Sequence, residues 1–125
     1  MTGHTLKDSA VGFLQSVVAG DVRGAYERHV GEGFRHHNPY FAGDARSLRE
    51  GMEADEARNP GKRLEVQLAL QEGSYVAVHS RLVRGAGLPE IAVVHVFRFE
   101  HGRIAELWDV AQVAPDRIVN EHGMF

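Results

Sequence analysis

At 125 residues, 43% of them apolar and 25% charged, the chain has the makeup of one globular domain, whose core buries roughly two-thirds of the surface of the unfolded chain. Cysteine is absent, which excludes a disulfide framework, a thiolate nucleophile and a cysteine zinc site. The formal net charge is −3, the basic residues between Arg23 and Arg63 alternate with acids instead of forming a stripe for nucleic acid, and no apolar run approaches the roughly 20 residues of a membrane helix.

Met1 to Asp8 are polar and lack the basic segment followed by an apolar one that marks a secretory signal, so a cytoplasmic location is the expectation. Leu6, Ala10, Phe13, Leu14, Val17 and Val18 recur at helical spacing and Gly20 supplies a stop, which predicts a first amphipathic helix. Asp21 is a candidate N-cap for a second, shorter helix carrying Val22, Ala25, Tyr26 and Val30, broken by Gly31 and Gly33. An extended piece, Phe34 to Phe41, follows. Asp44 can cap a third helix with Leu48 and Met52 facing inward, ending near Asn59 because the residue before Pro60 disfavours helical angles.

From Arg63 the period changes to two. Leu64, Val66, Leu68 and Leu70 alternate with polar or small residues and predict a half-buried strand up to the turn at Glu72 to Ser74. Tyr75 to Arg84, Glu90 to Glu100 and Arg103 to Val113 are three further strands, separated by Gly85 to Pro89 and by His101-Gly102. Helices first and an antiparallel meander afterwards is an α+β order in a single domain spanning 1–125. The third and fourth long strands read as apolar on both faces, with Ile91, Val93, Phe97 and Phe99 alternating with Ala92, Val94 and Val96. Helices can cover one face, so a second copy of the chain is the expected cover for the other, and a homodimer is predicted.

The last hairpin decides which polar side chains share a face. A three-residue loop, Glu100 to Gly102 with glycine in the left-handed position, pairs Phe99 with Arg103, His95 with Leu107 and Val93 with Asp109, and it points His95 and Asp109 the same way. A two-residue loop would put them on opposite faces. A carboxylate and an imidazole projecting together into an apolar layer either satisfy each other as a buried pair or serve a ligand. His36, His37 and Asn38 precede Pro39, which holds Asn38 extended, so one of the two histidines points inward; His79, in a strand of small apolar residues, is another inward candidate. An inward histidine is more often a satisfied core residue than a catalyst. No close-spaced ligand pair lies on a helix, so no metal is assigned. His4, His29, His101 and His122 read as surface, turn or tail residues. Arg98, diagonal to Glu106 near Trp108 and Gln112, reads as a structural cross-strand ion pair.

His37-Asn38-Pro39, Val78-His79-Ser80, Val94-His95-Val96-Phe97-Arg98, Gly102-Arg103-Ile104, Glu106-Leu107-Trp108-Asp109 and Gly123-Met124-Phe125 together resemble the SnoaL-like polyketide cyclase family of the NTF2-like superfamily, in particular its predicted aldol-condensation enzyme branch. The resemblance implies a cone-shaped α+β barrel, three N-terminal helices packed on a curved antiparallel sheet, with dimerisation through the sheet's outer face and a pocket that uses no cofactor. It also implies that Asp109 is the acid/base of an aldol closure with His95 beside it, and that His37 and Asn38 stand at the pocket wall. His79 and Trp108 complete the candidate substrate contacts. Relatives usually read Glu-His-Trp-Asp where this chain has Glu106-Leu107-Trp108-Asp109, and an aspartate where it has His95. The function expected on this basis is proton transfer alpha to a carbonyl, as in an aldol cyclase or isomerase, on a small-molecule carbonyl compound. The alternatives are a site that binds an apolar ligand without turnover, and a dimerisation module whose pocket is filled by its own side chains, Met124-Phe125 among them. One aspartate would also serve a hydrolase.

Overall fold

The computed structural model describes residues 5–85 and 87–125, so the surface assignment of His4 lies outside the described residues. Helix α1 spans Leu6–Val18, and Thr5 and Asp8 close a reciprocal capping box at its start. Gly20 ends it at φ 95, a left-handed angle that a side chain would resist. Asp21 caps α2, Val22–His29, by accepting from the backbone N–H of Gly24; Asp44 caps α3, Ala45–Arg58, by accepting from Ser47. Val30, expected at the end of α2, instead opens strand β1, Val30–His36, so the extended segment begins four residues earlier than the sequence suggested.

Strands β2 (Arg63–Glu72), β3 (Tyr75–Val83), β4 (Ile91–Glu100) and β5 (Arg103–Val113) form the expected antiparallel meander. Strand β1 then joins β5 in parallel, which makes the sheet mixed, in the order β1-β5-β4-β3-β2. The two edge strands do not pair with each other, so the cone stays open. Helices cover the inner face. Phe13 of α1 stands edge-on to Phe97 of β4 at 6.1 Å and to Tyr26 of α2 at 5.3 Å, and all three are buried. Burying each such ring contributes about 1.5–3 kcal/mol. Burial also pushes the Tyr26 phenol well above its ordinary pKa, and its hydroxyl lies against Met52 Sδ at 3.4 Å.

Two single-residue irregularities set which side chains face these helices. Gln67 is an extra residue in β2, because Val66 pairs with Ser80 while Leu68 pairs with His79. A bulge of one residue reverses the alternation beyond it, so Leu64, Val66 and Ala69 pack inward and Leu68 and Leu70 turn out, 48% and 58% exposed. This corrects the unbroken alternation expected from Leu64 to Leu70. The outer face carries two apolar rows across four strands, Val110-Val94-His79-Leu68 and Trp108-Val96-Ala77-Leu70. Among the described residues no helix is long and apolar enough to cross a membrane.

Candidate functional site

The β4–β5 hairpin turns on His101 and Gly102, both left-handed at φ 52 and 76, with Glu100 paired to Arg103. That is a two-residue turn of the kind that matches strand twist, not the three-residue loop expected. Alone it would separate His95 and Asp109 onto opposite faces. Ala105 restores the parity: Phe99 pairs with Ile104 but Arg98 pairs with Glu106, so Ala105 is an extra residue in β5. Beyond it His95 stands directly opposite Asp109, where Leu107 was expected, and Asp109 faces His95 instead of Val93. The shared face was anticipated for the wrong reason.

Both side chains line a cavity of about 470 Å³ between the sheet and α1 and α3. Its wall is mostly apolar, with Leu14, Leu48, Met52, Leu64 and Val93, and Tyr40 and Phe41 stand at its rim. Asn38 completes the polar end by donating from Nδ2 to Asp109 Oδ2 at 3.1 Å. At another point of the wall the buried Lys62 ammonium contacts Asp55 Oδ2 at 2.5 Å and Glu56, so its charge is met by protein carboxylates. A larger groove of about 580 Å³ runs by Gly20, Arg23 and Gly61. We place the site in the smaller cavity because the chemistry-bearing groups converge there, whereas the acids of the groove are engaged: Glu53 with Arg23, Glu56 with Lys62, and Asp21 with Arg28.

His95 is enclosed by protein except where it borders the cavity, and its Nδ1 is buried with no hydrogen-bond partner. Loss of water disfavours the imidazolium and pushes the pKa down to about 4, against the opposing pull of the Asp109 carboxylate. His95 is therefore neutral near pH 7, with one N–H to donate and one nitrogen to accept.

His37, His79 and Trp108 were expected at the pocket, and the structure places all three on the outer face. Asn38, the remaining candidate contact, is in the cavity. The inward histidine of the pair is His36: its Nδ1 accepts from the Asn38 backbone N–H at 3.1 Å and its Nε2 meets the Ala42 carbonyl at 2.6 Å. Those partners fix the tautomer, because a backbone N–H must donate and a carbonyl must accept. His79 stacks on Phe125 at 6.2 Å, and the Arg81 guanidinium lies 5.0 Å from the same ring. Phe125 thus packs on the outer face and does not fill the cavity as the dimerisation-module alternative supposed. His29 stands edge-on to Phe13 at 6.4 Å, so it packs on the core and is not a free surface residue.

On that outer face the expected Arg98–Glu106 ion pair is part of a larger cluster, whose Arg35 and His37 contacts the sequence reading missed. Its carboxylate accepts from Arg35 Nε and Nη2 at 2.9 and 3.2 Å and from Arg98 Nε at 3.0 Å, and it meets His37 Nε2 at 2.6 Å. The His37 ring lies flat on Trp108 at 5.0 Å. Glu106 is shielded by these partners and not by depth in the core, and Arg35 first, then His37, hold its pKa down to about 2. Arg98 faces Glu106 directly and not diagonally. The Arg35 contribution depends on β1 adding in parallel to β5, which no local motif announces. Among the described residues no group of three or more His, Cys, Asp or Glu is placed to hold a metal ion.

With this geometry in hand, the chain matches the SnoaL-like domain family over residues 10–107. Its fold is similar to that of an NTF2-like protein of unknown function from Cytophaga hutchinsonii, at 18% identity and TM-score 0.71 with 89% of this chain and 93% of that one covered. It is also similar to IdmH, a candidate polyketide cyclase from Streptomyces antibioticus, at 24% identity and TM-score 0.68 over 86% and 92%. An uncharacterized cystatin-fold protein from Novosphingobium aromaticivorans aligns at 26% identity and TM-score 0.70 over 86% and 99%. No curated protein sequence matches the chain.

Proposed function

The chain belongs to the SnoaL-like domain family, and within that family we propose that it is a cofactor-independent enzyme acting by proton transfer alpha to a carbonyl, as an aldol cyclase or isomerase. The observation that carries this reading is the meeting of Asp109, His95 and Asn38 on one wall of a mostly apolar cavity, apart from the Lys62 ion pairs. Asp109 would take a proton from the carbon beside the carbonyl, and the electron pair of that C–H bond would pass to the carbonyl oxygen as an enolate. The N–H of neutral His95 would donate to that oxygen as its charge develops. The enolate carbon would then add to a second carbonyl of the same molecule, whose oxygen takes the proton from Asp109 as the C=O π bond opens, or the enolate would take that proton back at another carbon. The apolar wall favours a substrate that is itself largely apolar.

Replacing Asp109 with Asn keeps shape and removes the base. Turnover of a carbonyl substrate that the wild type converts should then fall at least about a hundredfold, with the circular dichroism of the fold unchanged; a variant that keeps its rate removes the proposal. The apolar wall also favours a second reading, a site that holds an apolar ligand without converting it, and saturable binding with no product in either protein would select it. We further propose that the outer apolar rows pair with those of a second copy, because Val94 and Val110 are 37% and 72% exposed on the outer face of the single chain.

A further inference from the structure

Asn38 and His37 are consecutive residues that grip the two faces of one strand. The Asn38 carboxamide is oriented without ambiguity: Oδ1 accepts from the Tyr40 backbone N–H at 3.0 Å, which leaves Nδ2 to donate to Asp109 Oδ2. His37 crosses to the outer side, where its backbone N–H donates to the Leu107 carbonyl at 3.0 Å and its ring meets Glu106. Glu106 and Asp109 belong to the same strand and face opposite sides of it. Glu106 is fixed by its own partners, since two contacts from Arg35, one from Arg98 and one from His37 use the roughly four lone-pair positions of a carboxylate. His37 is further held by its stack on Trp108.

We infer that Glu106 is a positioning residue for the reaction: by fixing His37 on the outer face it sets the pose of the Asn38 amide on Asp109 inside the cavity. The inference rests on the role proposed for Asp109. A base must present one oxygen to the substrate in a fixed direction, and the Asn38 contact occupies Oδ2, so the rotation of the carboxylate is set by a neighbour that is itself set from outside. Misplacing a reacting group by about 1 Å lowers rates by about a hundredfold. A purely structural ion cluster would hold the strands together and leave the Asn38–Asp109 contact indifferent to its charge.

The test reads that contact directly and needs no substrate. The side-chain amide signals of Asn38 are recorded by nitrogen-15 NMR in the wild type, in Asp109→Ala as the reference for a released amide, and in Glu106→Gln and His37→Phe. The phenyl ring of the last variant preserves the stack on Trp108 and removes the nitrogen that meets Glu106. The expected result is that both variants move the Asn38 signals toward their position in Asp109→Ala. Signals that stay at the wild-type position in either folded variant, while moving in Asp109→Ala, overturn the inference. Should Glu106→Gln fail to fold, His37→Phe severs the same contact at a half-exposed residue and decides alone. With a turned-over substrate, His37→Phe should lower kcat about ten- to a hundredfold with KM nearly unchanged, and an unchanged kcat counts against it. Turnover that survives Asp109→Asn would remove the reading of Asp109 as the base, while the NMR comparison still reports whether Glu106 controls Asn38.

Discussion

Replacing His95 with Phe should make the protein more stable while removing the proposed enolate donor. Nδ1 of His95 is buried without a partner, and an unsatisfied buried polar atom costs about 1–3 kcal/mol. A phenyl ring has nearly the outline of imidazole, and one side of the site opens on the cavity, so the added volume has room. The gain at neutral pH is thus on the order of 1–2 kcal/mol. Acid enlarges it. The folded-state pKa of about 4 lies below the ordinary 6.5, so the unfolded chain binds the proton first; the wild type keeps its full stability above pH 6.5 and loses part of it progressively as pH falls from 6.5 to the folded pKa of about 4. A fall of that size corresponds to roughly 3 kcal/mol at most, which the variant, with nothing to protonate there, does not lose. Urea unfolding at pH 7.5 and 4.5, with the slope of stability against denaturant checked for constancy, measures both effects. A variant no more stable than wild type at pH 7.5, or a difference that fails to widen at pH 4.5, would refute the burial argument.

Gly51→Ala tests how firmly the cavity rim is held. A Cβ there would overlap the Phe41 ring, 2.6 Å from Cζ, but that ring is 40% exposed and can swing outward. The helix gains about 1 kcal/mol from alanine, so net stability should stay within about 1 kcal/mol of wild type; a loss of several kcal/mol in urea unfolding would show that Phe41 is locked in place. Val94→Lys puts an ammonium in the middle of the outer apolar rows. It should convert a dimer into a folded monomer in sedimentation equilibrium, and an unchanged mass, or a wild type that is monomeric already, would sink the proposed pairing.

Much of the fold is legible because it is written in local chemistry. The caps at Asp21 and Asp44, the glycine stop after α1 and the change of period at Arg63 each act within a few residues, and each element appears within a few residues of its expected bounds. The site is less legible, because a side chain's face depends on counting every residue between it and the turn. Nothing in Glu65-Val66-Gln67-Leu68 or Ile104-Ala105-Glu106 marks the extra residue. Those two bulges decide that Leu68 and Leu70 are exposed, and that His95 meets Asp109 despite a two-residue turn.

The bulge at Ala105 also bears on how the site is built. Without it, Glu106 would project into the face now occupied by Leu107, and Asp109 would project outward, because a one-residue slip exchanges the faces of everything beyond it. A single extra residue therefore places a carboxylate with cationic partners outside and a carboxylate beside a neutral imidazole inside, three positions apart on one strand. The two environments differ in kind: outside, guanidinium groups stabilise the charge of Glu106, while inside, loss of water keeps His95 uncharged. Because His37-Asn38 spans the same strand edge, the two faces are physically connected. The Glu106-to-Asp109 stretch alone does not carry these roles, since Arg98 and His95 lie on β4 and the partners Arg35 and Asn38 lie on β1 and on the segment that follows it, about 70 residues earlier in the chain.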